Sequence, residues 1–196
     1  KPSSKQQDIS LRLVELAKQN RRVLRLKGGD PFMFGRGGEE CQALARAGIP
    51  FRIVPGITSG VGGLAYAGIP TTHRETNPSV LFLTGHDASG NVPTGVDWKK
   101  VAHAAPVIVM FMAVRNLPRI AETLIGHGRD RDEPVAVVSN ASLPNQSIHT
   151  TTLEKARTSP DITGLPTPAL VVVGRVVEMA GELDWYAGIL RENSLG

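Results

Sequence analysis

The residues best placed to do chemistry are Lys27-Gly28-Gly29-Asp30-Pro31-Phe32, two glycines, an acid and a proline directly after a short apolar run. Paired glycines permit positive φ angles and let a ligand approach the backbone closely. Asp30 adds a carboxylate where the chain turns, and Pro31 stiffens the backbone just after it. Two uses fit these residues: a tight turn with Asp30 capping the next segment, or a loop that binds a ligand. The stretch is not a phosphate loop, because no Gly-Lys-Ser/Thr comes after it. Next comes Phe34-Gly35-Arg36-Gly37-Gly38-Glu39-Glu40, with one Arg among three glycines. A guanidinium there suits bidentate capture of a carboxylate, and a solvated Arg near a helix start is the plainer alternative. In Val54-Pro55-Gly56-Ile57-Thr58-Ser59, the Thr58 and Ser59 hydroxyls can cap a helix or hold a small polar ligand.

These residues need elements to hold them. Ile9, Leu13, Leu16 and Ala17 share one helical face, which predicts a first helix starting near Asp8. Residues 23–26 and 51–54 read as short strands, each ending at one of the glycine loops. A helix is expected from Gly38 to Gly48, its acids at the favourable end of the dipole, and another from Ser59 to Ala67. Further strands are expected at 80–84, 107–112, 135–139 and 169–173, and helices at 98–104, 117–125 and 153–157, with 87–97 a flexible loop. This alternation predicts an α/β fold with parallel strands, in which ligands sit at the carboxyl ends. The polar stretch 71–79 is the expected boundary between an N-terminal subdomain (1–76) and a C-terminal one (77–196).

Composition narrows the function classes. The 196 residues are 41% hydrophobic and 20% charged, as in an ordinary globular protein. No apolar run approaches the roughly 18 residues that span a bilayer, so no membrane partner is expected. A single cysteine, Cys41, rules out an intrachain disulfide framework and points to a reducing, cytoplasmic setting. The charge of +4 is spread along the chain, which argues against nucleic acid. His73, His86 and Cys41 have no metal-site spacing, and neither a Gly-x-Ser-x-Gly elbow nor a Gly-x-Gly-x-x-Gly dinucleotide motif occurs.

The run Val23-Leu24-Arg25-Leu26-Lys27-Gly28-Gly29-Asp30-Pro31-Phe32-Met33-Phe34-Gly35-Arg36-Gly37-Gly38-Glu39-Glu40 closely resembles the signature of the uroporphyrinogen-III C-methyltransferases, within the tetrapyrrole methylase family. The likeness continues, in family order, through Val54-Pro55-Gly56-Ile57-Thr58-Ser59, Ala65-Tyr66-Ala67-Gly68-Ile69-Pro70-Thr71-Thr72-His73-Arg74, Thr84-Gly85-His86, Phe111-Met112, Asn140-Ala141-Ser142 and Val173-Gly174-Arg175-Val176-Val177. It implies an α/β, two-domain tetrapyrrole methylase fold with a cofactor cleft between the domains. S-adenosyl-L-methionine is the implied cofactor, S-adenosyl-L-homocysteine its product, and the implied reaction is methylation of uroporphyrinogen III at C2 and C7 to precorrin-2. That step leads toward sirohaem and cobalamin.

By position, the resemblance assigns Gly28, Gly29, Asp30, Met33, Thr58, Ser59, Met112 and Ala141 to the cofactor and Arg36 to the tetrapyrrole. It implies a homodimer, and no catalytic side chain or metal ligand is assigned. Two positions depart from the pattern: Ala141 and Ala113 stand where the family usually has glycine. The family's opening Gly-rich strand-loop, and the Asp-Arg and Gly-Lys-Arg segments after it, do not occur here. The expectation is therefore a methyltransferase chain without its N-terminal part, the proton-acceptor Asp and donor Lys lying upstream of Lys1, which leaves open whether it is active alone. The competing expectations are another corrin-pathway methylase and a non-catalytic binding protein of the same fold.

Overall fold

The structure is a computed structural model that describes residues 6–192. The chain forms two compact units, Lys1–Thr58 and Ser59–Gly196. The polar stretch 71–79 lies inside the second unit, ahead of its first strand.

In the first unit, α1 (Gln6–Lys18) packs against α2 (Gly37–Arg46). α1 carries Asp8 in its first turn and Lys18 in its last, both matched to the helix dipole. α2 stops at Gly48, whose φ of 68° only glycine adopts readily. The strands expected at 23–26 and 51–54 are not formed: both segments are irregular, and Leu24, Leu26 and Val54 are exposed. Their β-type composition is real, but a strand exists only through a ladder partner, and neither segment pairs.

In the second unit, α3 (Ser59–Tyr66) ends at Gly68, with φ 65°. Asn77, buried, then fastens the polar loop: its amide donates to the carbonyls of Thr71 and Ser79 and accepts from the His73 N–H. The chain continues through β1 (Val80–Thr84), α4 (Trp98–Ala104), β2 (Val107–Phe111) and α5 (Leu117–Gly126). It then runs through β3 (Pro134–Ser139), β4 (Ser147–Thr152), α6 (Leu153–Thr158), β5 (Ala169–Val173) and α7 (Trp185–Glu192). These strands form one sheet in the order β1-β2-β5-β3-β4.

The sheet is mixed, not parallel as expected. β1 and β2 are parallel, while β5 runs antiparallel to both β2 and β3, and β4 forms an antiparallel hairpin with β3. β2 is buried along its whole length and β5 nearly so, hence their unbroken apolar sequences. On α5, Leu117, Ile120, Ala121 and Leu124 are fully buried at helical spacing and join the core with Ile108, Met110, Val137 and Val171.

The loop expected to be flexible, 87–97, is tied down. Asp87 Oδ1 accepts the N–H groups of Ser89 and Asn91, and Asn116 Nδ2 donates to the carbonyls of Gly85 and Gly90. The Trp98 indole N–H donates to Pro93 O at 3.1 Å. No helix among the described residues is long and apolar enough to cross a membrane.

Candidate functional site

The first unit holds Gly28, Gly29, Asp30, Met33 and Arg36 in one loop. Gly29 has φ 67°, and nothing lies within 4 Å of where a Gly28 Cβ would stand, so that backbone faces open space. The Asp30 carboxylate is already engaged. Oδ1 accepts the Phe32 N–H at 2.8 Å and Oδ2 accepts the Gly56 N–H at 3.1 Å. The Gly56 N–H and then the Phe32 N–H hold the Asp30 carboxyl below its ordinary value. Asp30 therefore takes the turn-forming role directly, and it also joins the two glycine loops.

A side chain at residue 56 would collide with Gly29 O, so this approach requires glycine. Gly56 is not among the site residues expected from the sequence; a Pro-Gly pair after an apolar run is the signal that pointed there. Glu40 is another such residue. In the first turn of α2, it is buried and accepts from Lys27 Nζ at 3.1 Å and from the Arg25 guanidinium at 3.3 Å. It thereby pins the residues that lead into Gly28. Arg36, exposed and with φ 58°, makes a bidentate pair with Glu39 at 3.0 and 2.7 Å, which raises the Arg36 pKa.

In the second unit, Met112 directly follows β2 and Ala141 stands two residues past the end of β3. Ser59 opens α3, where the first-turn N–H groups lack intrahelical partners. Gly60 sits so close to the rings of Phe82 and Phe111 that a Cβ would lie 2.8 Å from both. Gly63 is equally tight against Ala141, with 3.0 Å between the two Cβ positions. These two glycines, also not foreseen, seat the helix on the end of the sheet. Thr58 is the last residue of the first unit, next to Ser59 in the chain.

Met112, directly after β2, has φ 56° and is 44% exposed. Asn140 and Ser142, on either side of Ala141, have φ 51° and 68°. Left-handed backbone at non-glycine residues collects where structure serves a site. Ala113 packs directly against Gly85, so the larger residue at that position fits because its neighbour is glycine. His86, just past β1, has its Nδ1 buried with no hydrogen-bond partner. A buried polar atom without a partner just past β1 and left-handed backbone at the ends of β2 and β3 suit a bound small molecule with polar groups.

The mixed five-stranded sheet and the helices around it define an α/β protein, and comparison with known proteins gives its lineage. Residues 2–157 match the family model for tetrapyrrole (corrin/porphyrin) methylases, and the chain belongs to that family. It is 58% identical over 189 residues to a uroporphyrinogen-III C-methyltransferase of Sinorhizobium sp., which covers 96% of this chain and 68% of that protein. A siroheme synthase of Zymomonas mobilis is 46% identical, over 93% of this chain and 38% of its own length. Among solved structures, a uroporphyrin-III C-methyl transferase from Thermus thermophilus complexed with S-adenyl homocysteine is 36% identical. It superposes with a TM-score of 0.76 over 88% of this chain and 74% of its own. A cobalt precorrin-4 methyltransferase at 23% identity and TM-score 0.76 shares the fold.

Proposed function

We propose that the chain carries S-adenosyl-L-methionine-dependent methylation of uroporphyrinogen III at C2 and C7, giving precorrin-2 for sirohaem and cobalamin synthesis. The observation that carries this reading is the 58% identity, over 96% of the chain, to a uroporphyrinogen-III C-methyltransferase. The geometry supports it, and the bound S-adenyl homocysteine of the Thermus neighbour supports the choice of cofactor. The protein works as a cytoplasmic homodimer on a tetrapyrrole, with neither nucleic acid nor membrane as partner.

Gly28, Gly29, Asp30 and Met33 in the first unit, Thr58, and Ser59, Met112 and Ala141 in the second hold the cofactor. The bound cofactor supplies an activated sulfonium methyl group, so the protein's task is alignment and exclusion of water, worth roughly 7–11 kcal/mol. Gly28 offers backbone with no side chain in the way, while Asp30 fixes that backbone through the Phe32 and Gly56 N–H groups. Arg36 receives a substrate carboxylate by exchanging Glu39 for it, because the guanidinium is exposed and its present partner is too.

Incubation of the chain with S-adenosylmethionine and uroporphyrinogen III, followed by mass spectrometry, tests this reading. Product carrying two added methyl groups supports it; absence of both product and S-adenosylhomocysteine binding sinks it. A more local test uses Met112. Left-handed backbone costs a non-glycine residue roughly 1–2 kcal/mol, which Met112→Gly relieves. The variant is expected to unfold about 2–4 °C higher per kcal/mol gained and to bind S-adenosylhomocysteine more weakly. A variant that binds as tightly as the parent removes Met112 from the cofactor set.

A further inference from the structure

The turn at 140–142 puts two non-glycine residues into left-handed backbone around Ala141, a conformation that persists only where neighbours enforce it. The Asn140 N–H is held by Pro168 O at 2.9 Å. Ser142 is held from both sides by side chains. Gln146 Oε1 accepts the Ser142 N–H at 2.7 Å, and Tyr186 Oη donates to Ser142 O at 2.8 Å.

The same Gln146 amide turns its other end to α3, where Nε2 donates to Tyr66 O at 2.9 Å. Only one orientation of the amide satisfies both neighbours, since the Ser142 N–H needs an acceptor and the Tyr66 carbonyl a donor. A second link runs beside it: the Trp185 indole N–H donates to Ala65 O at 2.8 Å. Ala65 and Tyr66 close α3, and the last carbonyls of a helix lack intrahelical donors. The Tyr66 ring packs against Trp185 at 5.2 Å and edge-on to Tyr186 at 4.9 Å. One cluster thus fastens α3, the 140–142 turn and α7 together. Trp185 and Tyr186 lie beyond the residues matched by the family model.

We propose that Gln146 and Tyr186 are positioning residues for the cofactor, locking the 140–142 turn so that Ala141 and the start of α3 keep their mutual placement. The proposal rests on the assignment of Ala141 and Ser59 to the cofactor. Neither positioning residue touches the cofactor or the reacting atoms; each acts through Ser142.

The test uses Gln146→Met, which keeps the side-chain length but removes the acceptor of the Ser142 N–H and the donor to Tyr66 O, and Tyr186→Phe, which removes only the hydroxyl that holds Ser142 O. Calorimetric titration with S-adenosylhomocysteine is expected to show Kd raised about fivefold in each, the fold-change of one hydrogen bond. KM for S-adenosylmethionine rises with it, while KM for uroporphyrinogen III stays put, a split that general loosening of the fold does not produce. Amide hydrogen exchange gives a readout independent of any ligand: the Ser142 N–H exchanges faster in both variants, with β3 unchanged. Faster exchange at Ser142 with an unchanged Kd overturns the proposal. A parent chain that shows slow Ser142 exchange yet binds no S-adenosylhomocysteine overturns the cofactor assignment itself, and the positioning role with it.

Discussion

Replacement of Glu40 by Ala lowers stability by about 3–5 kcal/mol, the loss expected when one member of a buried ion pair is removed. The Glu40 side chain is 5% exposed and the Lys27 side chain 12%, so neither gains much from water. Both Glu40 oxygens accept from Lys27 Nζ at 3.1 Å, and Oε1 also accepts from Arg25 Nε and Nη2 at 3.3 Å. Truncation to Ala removes the carboxylate that faces the buried Lys27 ammonium. Arg25, at 39% exposed, regains solvent and adds little to the loss. Glu40 also stands in the first turn of α2, where a negative charge complements the dipole. For a chain of this length the loss corresponds to a midpoint lower by roughly 6–20 °C, at 2–4 °C per kcal/mol. Glu40→Gln, which retains one carbonyl acceptor, recovers part of it. Calorimetric unfolding of the three proteins checks the order; an Ala variant within 1 kcal/mol of the parent contradicts it.

Glu40 also shows where sequence and structure part company. Its place in a Gly-Gly-Glu-Glu helix start is plain in the sequence, but its burial comes from residues 13 and 15 positions upstream, which local patterning does not reach. Periodicity served well where one element decides its own burial. Leu117, Ile120, Ala121 and Leu124 mark the inner face of α5, and the apolar runs of β2 and β5 mark buried strands. It gave no sign of strand direction, so the antiparallel β5 was not foreseen. β4 escaped notice because its Ser-Ile-His-Thr-Thr-Thr sequence suits an exposed edge strand and has no apolar alternation to read. The runs at 23–26 and 51–54 failed the opposite way, with strand composition and no ladder. At the site, family resemblance brought Met112 and Ala141 forward, yet left-handed backbone at Met112, Asn140 and Ser142 has no local signature, because none of them is glycine. That conformation is imposed by tertiary contacts such as those of Gln146 and Tyr186.

The contact between the two glycine loops makes the sharpest prediction about binding. Gly56→Ala drives a methyl group into Gly29 O and separates the Gly56 N–H from Asp30 Oδ2. Overpacking of this kind typically costs 1–3 kcal/mol, so S-adenosylhomocysteine affinity is expected to fall roughly tenfold to a hundredfold, together with the unfolding midpoint. Gly28→Ala is the control. A Cβ there meets nothing within 4 Å, so the variant should keep the parent's midpoint and lose affinity only. The same joint sets a pH dependence. The N–H groups of Gly56 and Phe32 hold the Asp30 carboxyl below its ordinary value, so their contribution is complete above the usual Asp range, near about 3.9, and is lost as pH falls through the lowered folded value. Binding by the parent should hold steady from neutral pH into the ordinary Asp range and weaken only below it. Asp30→Asn keeps one acceptor oxygen for two N–H donors, so its affinity at neutral pH should already be reduced, and the acid-side loss assigned to Asp30 should disappear. Titrations of the parent and the three variants from neutral to acidic pH decide the matter: a Gly56→Ala variant that binds like the parent would show that the two loops act independently.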